Sequence, residues 1–259
     1  DKFKTGPIMA TRGCPYKCTF CAAPALQGIK LRKHSVDYIT ETVRDLYYNF
    51  DVRQMNFLDD NLTLDASWAK ILCEALVKLK EKDGIDFACT TLNGVRYKTR
   101  DNGLLALMRR AGWHEITLAP ESGSEKTLER MKKYVDLGAL EEKIAMIHKN
   151  GMNTVGYIIA GYPGDEVSDL EATRKYIQQT KLTRVLVNLF NPIPGTPVYH
   201  ELIDSGEIQP AETDMNYRSI EGLEYVTPGL SKPELQKFLS DVQERTRFHE
   251  MWIGDLPVA

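Results

Sequence analysis

Short apolar segments alternate with longer amphipathic segments along most of the chain. The short segments are rich in Ile, Val, Leu, Thr and aromatic residues, which favour β-strands. The longer segments repeat apolar residues at the 3.6-residue period of a helix, as Val36, Ile39 and Val43 do. This alternation predicts strand–helix units around a parallel sheet. The predicted strands are residues 7–11, 55–58, 86–91, 115–119, 154–160 and 184–190.

The predicted repeat ends after its sixth unit, where Pro192, Pro194 and Pro197 interrupt the pattern. Six units are fewer than the eight that close a complete barrel. We therefore expect an α/β fold in which residues 1–205 form a partial, open TIM-like barrel with parallel strands. Residues 206–259 are expected to form a C-terminal helical extension packed on the barrel. Its helix is predicted to begin after Ser231, as the cap, and to continue to about Glu250.

The composition is typical of a soluble globular protein, since 42% of the 259 residues are hydrophobic and 27% are charged. A formal net charge of -3 provides no overall basic field, so nucleic acid is a disfavoured partner. No apolar stretch approaches the roughly 20 residues that cross a bilayer, and no signal sequence is recognisable. We expect a cytoplasmic protein without a membrane span. The chain begins at Asp1 and not at Met, which suggests that it belongs to a longer protein.

Three of the five cysteines lie close together, at Cys14, Cys18 and Cys21. An odd number of cysteines grouped in this way does not favour a disulfide framework. The group follows the first predicted strand, at the end of a barrel where functional loops lie. Three thiolates suit an iron–sulfur cluster, and on a four-iron cluster they leave one iron open to a further ligand. The motif therefore predicts a [4Fe–4S] site.

Structural zinc is the alternative metal, and it usually requires four Cys or His ligands in paired short spacings. The chain offers no second pair. Cys73 lies within a predicted helix and Cys89 within a predicted strand, where small core residues are expected. The five histidines are scattered along the sequence. The spacing favours the iron–sulfur cluster over zinc.

The cysteine motif resembles that of the radical S-adenosylmethionine (SAM) superfamily, in which three and then two residues separate the cysteines. An aromatic residue precedes the last cysteine in that family, and Phe20 occupies this position here. Residues 57–61, Phe-Leu-Asp-Asp-Asn, resemble the family's methionine-contacting segment, although its common Gly-Gly-Glu form is absent. This resemblance implies that Asp59 and Asp60 lie near the methionine amino group.

Later segments extend the resemblance over most of the chain. Residues 119–123, Ala-Pro-Glu-Ser-Gly, resemble the segment whose carboxylate binds the ribose hydroxyls, which implies this role for Glu121 with Ser122 beside it. A solvated Glu before a helix that starts at Ser124 is the alternative. Residues 156–166 resemble the segment that flanks adenine, which implies contacts from Gly156 and Ile158. Residues 191–197 resemble the loop after the sixth strand and imply that Asn191 contributes to cofactor binding.

The resemblance implies an enzyme that reductively cleaves SAM at a [4Fe–4S] cluster to a 5′-deoxyadenosyl radical, which abstracts hydrogen from substrate. The motifs are most similar to the branch that often carries a cobalamin-binding domain, which is absent from this chain. Cobalamin-assisted methylation or cyclisation of a small-molecule or lipid-like substrate is expected, with flavodoxin or ferredoxin as electron donor. The alternatives are a tRNA methylthiotransferase-like enzyme and a noncatalytic iron–sulfur or zinc-binding protein.

Overall fold

A computed structural model describes residues 4–95, 101–210, 223 and 225–246. The strands within these residues are β1 (Lys4–Ile8), β2 (Thr11–Arg12), β3 (Arg32–Lys33), β4 (Val52–Phe57), β5 (Ala88–Thr91), β6 (Trp113–Glu121), β7 (Asn153–Ala160) and β8 (Arg184–Leu189). The helices are α1 (Ala23–Gln27), α2 (Val36–Phe50), α3 (Ala66–Glu81), α4 (Asn102–Arg110), α5 (Glu125–Arg130), α6 (Leu137–Lys149), α7 (Val167–Gln179), α8 (Pro197–Asp204) and α9 (Lys232–Thr246).

Six of the strands form one parallel sheet in the order β1-β4-β5-β6-β7-β8. Helices connect consecutive strands, so the sheet curls into a half-barrel with its core between the sheet and the helices. The rings of Phe57 and Trp113 pack against each other in this core, tilted by 31° with centroids 4.9 Å apart, and both are fully buried. The predicted partial barrel of six parallel strands is confirmed. Its strands end together at one edge, where the connecting loops gather.

Side-chain caps begin most of the connecting helices. Each capping oxygen accepts a hydrogen bond from a backbone amide in the first turn, which satisfies a donor that the helix itself leaves unpaired. The caps of this kind are Ser35, Asp65, Asp101, Ser124, Asp136 and Thr196. The local sequence thus specifies the residue at which each of these helices begins.

The first predicted strand is divided in the structure. β1 ends at Ile8, and Thr11–Arg12 instead pairs antiparallel with Arg32–Lys33 as a separate two-stranded ribbon. This ribbon and the short helix α1 were not predicted, because segments of two to five residues are too short to display a period. Helix α5 begins after Ser124, the helix start that the alternative reading of Glu121 included. The ribbon encloses the cysteine motif between its two strands.

The C-terminal helix begins at the predicted position. Ser231 and Glu234 form the expected reciprocal cap, in which the Glu234 carboxylate accepts from the Ser231 amide at 2.8 Å. Arg245 joins α9 to the barrel by donating hydrogen bonds to the carbonyls of Thr180 and Leu182. The predicted helix end at Glu250 lies outside the described residues, and the domain boundary at residue 205 stays a prediction. Among the helices described, none is both long and apolar enough to span a bilayer.

Candidate functional site

A cleft lies at the edge where the carboxyl ends of the parallel strands meet. All three motif cysteines line it, together with Phe20, Asp60 and Glu121. The cysteines and Phe20 follow β2, Asp60 follows β4 and Glu121 ends β6, so the cleft gathers segments that are far apart in sequence. The structure therefore brings six of the residues singled out in the sequence to one place.

The cysteine loop is held against the ribbon by backbone contacts. The Cys14 amide donates to the Gly28 carbonyl at 3.1 Å, and the Cys21 amide donates to the Cys18 carbonyl at 3.2 Å. Gly13 adopts φ +97°, and a Cβ atom there would lie 2.3 Å from the Lys30 carbonyl oxygen. Glycine is therefore required immediately before the first cysteine, because any side chain would push the loop off the ribbon.

Thr19, between the second and third cysteines, anchors the loop to distant parts of the barrel. Its hydroxyl hydrogen-bonds the Tyr162 hydroxyl at 2.6 Å and the Arg130 carbonyl at 3.2 Å. Its amide donates to the Met131 carbonyl, and its carbonyl accepts from the Val198 amide. Burial raises the pKa of Tyr162 to about 12, so this hydroxyl stays protonated at neutral pH. The loop thus has a defined position although its cysteines are only partly buried.

The thiols of the motif lie in a poorly solvated environment. Burial raises the pKa of Cys18 to about 11, with the Lys133 ammonium acting in the opposite direction, and burial also raises the pKa of Cys21. Metal ions bound here would add to the positive charge of Lys133 and favour the thiolate form of both residues. Within the described residues, no three Cys, His, Asp or Glu side chains converge on one metal ion. A four-iron cluster does not need such convergence, since each cysteine binds a different iron.

Glu121 carries a charge into the cleft from the end of β6. Its backbone φ of 67° is rare for a residue with a side chain, and the β6–β7 register shifts between Leu118 and Glu121. The Glu121 carboxylate accepts a hydrogen bond from the Lys133 ammonium at 2.9 Å, and both residues line the cleft. Burial disfavours the charge on Lys133, but Glu121 and Cys18 outweigh this effect and raise the pKa of Lys133. Lys133 therefore keeps its positive charge at neutral pH, since its raised pKa lies well above that value.

Asp59 and Asp60 have different environments. The buried Asp59 carboxylate accepts from the Ala10 amide at 3.3 Å, from the Thr11 hydroxyl at 2.6 Å and from the Thr11 amide. It thereby ties the end of β4 to the chain that leaves β1. Asp60 lines the cleft, and its one hydrogen bond among the described residues is accepted from the Gly13 amide at 3.3 Å. Of the two neighbouring carboxylates, Asp60 is the one placed to meet a ligand.

We expect Asp59→Asn to destabilise the protein by about 1–3 kcal/mol, because the amide removes one acceptor from buried donors that have no access to water. Asp60→Asn serves as the matched control and should cost less than about 1 kcal/mol, since its carboxylate faces the cleft. Urea unfolding of both variants at equal iron content measures the difference. Equal losses in the two variants would contradict the assigned environments.

The other residues singled out in the sequence lie beside the cleft without lining it. Ser122 is buried and hydrogen-bonds the Thr173 hydroxyl at 2.9 Å. A Cβ at Gly156 would lie 2.3 Å from a Leu182 methyl carbon, so this glycine allows close packing on the α7–β8 loop. Ile158 is a core residue, whereas its neighbour Tyr157 lines the cleft, as successive side chains of a strand point to opposite faces. Asn191 is buried, and among the described residues its Oδ1 has no hydrogen-bond donor.

Several cleft residues carry no recognisable signal in the sequence. Lys133 follows α5 and reaches Glu121 across twelve positions, which matches no helical or strand period. Asn61 lines the cleft, and its buried Oδ1 lacks a donor among the described residues. Asn61 adjoins the Asp59–Asp60 pair in sequence, and this adjacency was the one clue available. The wall of the cleft also includes Tyr134, Val135, Leu140 and Tyr157.

Comparison of the sequence with known proteins identifies the family to which this chain belongs. Residues 8–177 match the family model described as the radical SAM superfamily. An uncharacterized methyltransferase of Pyrococcus horikoshii is 27% identical over 208 residues, which cover 78% of this chain and 44% of the relative. Cytidylyl-2-hydroxyethylphosphonate methyltransferase of Streptomyces wedmorensis is 29% identical over 217 residues, covering 81% of this chain and 40% of the relative. The chain thus spans less than half the length of these curated relatives.

The fold is shared with a solved structure. The radical SAM methyltransferase TsrM from Kitasatospora setae, determined with cobalamin and a [4Fe–4S] cluster bound, superposes with a TM-score of 0.74 at 16% identity. The alignment covers 93% of this chain and 52% of TsrM. At this identity the likeness establishes the fold of the half-barrel, and the sequence match establishes the family.

Proposed function

Because this chain belongs to the radical SAM superfamily, we propose that it is the core of an enzyme that reductively cleaves SAM to a 5′-deoxyadenosyl radical. The main supporting observation is that Cys14, Cys18 and Cys21 line the same cleft as Asp60 and Glu121. Ligands for a cluster and acceptors for a polar cofactor thus share one cavity at the functional edge of the barrel.

The cysteine loop suits a [4Fe–4S] cluster. Its three sulfurs would bind three irons, while Thr19 and the Gly13–Lys30 contact hold the loop in place. When bound, the cluster supplies one electron to the sulfonium of SAM and an open iron for its amino and carboxylate groups. The Oδ1 of Asn61 in the same cleft has no hydrogen-bond donor within the described part of the chain, which also indicates a polar ligand, since buried polar atoms are normally hydrogen-bonded.

The remaining roles concern SAM. Glu121 would accept hydrogen bonds from the ribose hydroxyls, with Lys133 holding its carboxylate in position at 2.9 Å. Asp60 would face the methionine amino group, and Asp59 would support it by fixing the β4 end against Thr11. Phe20 and Tyr157 would help to keep water from the reacting carbon. Four residues beside the cleft would support the side chains that line it and would not contact SAM directly. They are Ser122, Gly156, Ile158 and Asn191.

The net reaction we propose is methylation of a small-molecule substrate, with cobalamin held by a domain outside this chain. The support is that the two curated relatives above are named methyltransferases and that TsrM was solved with cobalamin. We further propose a cytoplasmic enzyme that receives its electron from a small electron-transfer protein such as flavodoxin or ferredoxin.

The test is to reconstitute the cluster anaerobically, reduce the protein with dithionite and add SAM. We expect 5′-deoxyadenosine and methionine in equal amounts, and neither product from protein that has not been reduced. Chromatography of the quenched mixture measures both. Formation of S-adenosylhomocysteine alone would favour polar methyl transfer and would contradict the radical route.

A further inference from the structure

We infer that Lys133 raises the reduction potential of the cluster bound to the cysteine motif and so favours the reduced state. This inference rests on the proposed function and gives Lys133 a second task besides holding Glu121. Reduction adds one electron from an external donor, which makes the cluster and its thiolates more negative without forming or breaking a bond. A cation held nearby therefore stabilises the reduced state more than the oxidised state.

The segment that carries Lys133 is attached directly to the cysteine loop. The Thr19 amide donates to the Met131 carbonyl at 3.0 Å, and the Thr19 hydroxyl donates to the Arg130 carbonyl at 3.2 Å. Thr19 lies between the last two motif cysteines, whereas Met131 and Arg130 lie just before Lys133 in the chain. These hydrogen bonds fix the position of the Lys133 backbone relative to the cluster ligands.

The end of α5 makes Lys133 different from the neighbouring Lys132. The Lys133 amide donates to the Leu128 carbonyl at 2.9 Å, and the Lys132 amide donates to the Glu129 carbonyl at 2.9 Å. Lys132 has a φ of 50°, so these bonds form the left-handed helix ending known as a Schellman motif. Both lysines line the cleft, but Lys132 is exposed, whereas the Lys133 side chain is only 23% exposed.

The Lys133 ammonium lies in a poorly solvated part of the cleft. It is 2.9 Å from the Glu121 carboxylate, whose side chain is 8% exposed. It also lies over the Phe20 ring, 6.0 Å from its centroid, and Phe20 immediately precedes Cys21 in the sequence. Water screens a charge weakly at such a place, so the charge of Lys133 acts over a longer distance than an exposed charge would.

The Lys133–Glu121 pair does not act on the thiols as a neutral unit. Burial raises the pKa of Cys18 to about 11 and also raises the pKa of Cys21. At both thiols Lys133 lowers the pKa and Glu121 raises it, and the effect of Lys133 is the larger of the two. The pair therefore favours negative charge at the cysteines. An electron added to a cluster bound there is stabilised for the same reason.

The test is a redox titration of the cluster-loaded protein without SAM, in which absorbance and electron paramagnetic resonance give the ratio of reduced to oxidised cluster. We expect Lys133→Met to lower this ratio about tenfold at a fixed potential, a downward shift of about 59 mV for a one-electron couple. Lys133→Arg keeps the charge and should stay within about threefold of the unmodified protein. Lys132→Met is the matched control and should change the ratio by less than about twofold, because solvent screens its exposed charge.

Glu121→Gln separates an electrostatic role from a structural one. It removes the negative charge that opposes Lys133, so the ratio of reduced to oxidised cluster should rise by about threefold or more. If the pair only held the cleft in shape, Lys133→Met and Glu121→Gln would disturb the same contact and shift the potential in the same direction. Opposite shifts support the inference. Shifts of the same sign, or an unchanged potential in Lys133→Met, would overturn it.

A second substitution covers the case in which Lys133→Met assembles no cluster. Lys133→Gln can still donate a hydrogen bond to Glu121, and it should also lower the ratio of reduced to oxidised cluster. If this variant assembled no cluster either, Lys133 would be required for assembly, and the inference would be overturned.

The two proposals can fail separately. The titration does not require SAM cleavage, so absence of 5′-deoxyadenosine from the unmodified protein with dithionite would contradict the proposed function alone. Normal cleavage by the unmodified protein, together with a potential that does not depend on Lys133, would contradict the present inference alone.

Discussion

Alanine at Cys14, Cys18 or Cys21 should lower the iron content of reconstituted protein from about four atoms per chain to nearly none. Each cysteine supplies a separate iron ligand, and the cleft offers no other thiol to replace it. SAM cleavage should be lost in parallel. Iron analysis and the visible absorbance of the cluster measure the effect.

The control uses the two other cysteines, Cys73→Ala and Cys89→Ala. Both side chains are buried, Cys73 in α3 and Cys89 in β5, and burial raises the pKa of both thiols. They behave as small core residues, so these variants should lose about 1 kcal/mol of stability or slightly more but keep a full cluster. A normal cluster after loss of any two of the three motif cysteines would contradict the site.

Glu121→Gln should weaken SAM binding by about one to two decades, since hydrogen bonds to a charged group contribute about 1.5–3 kcal/mol. The substitution keeps the size of the side chain but removes its charge and replaces one acceptor oxygen with a donor. It also removes the carboxylate that pairs with Lys133 at 2.9 Å. Titration of SAM at matched iron content measures the loss.

Glu129→Gln is the matched control for this variant. Glu129 is exposed on α5, eight positions after Glu121 in the chain. The Glu129→Gln variant should therefore bind SAM with unchanged affinity. The iron content of both variants should be unchanged, because neither residue is proposed as a cluster ligand. An affinity of Glu121→Gln within about twofold of the unmodified protein would show that the ribose is bound elsewhere in the cleft.

The pattern of the sequence was sufficient to predict six parallel strands, the half-barrel and the cluster motif. Strand alternation, helical period and cysteine spacing are local features, so they can be read without knowing which segments meet. The predicted ends of the strands were less accurate than their number and order. The strand predicted over residues 7–11 is divided between β1 and β2 in the structure. The capping pair Ser231–Glu234 was predictable because both partners lie within one turn.

Only the tertiary structure distinguished Asp59, bonded to Thr11, from Asp60, which lines the cleft. Only the tertiary structure brought Lys133 to Glu121. It also brought Thr19 to Tyr162, and these two residues are 143 positions apart in the chain. Such contacts depend on how separate strand ends converge, and no local period encodes that convergence.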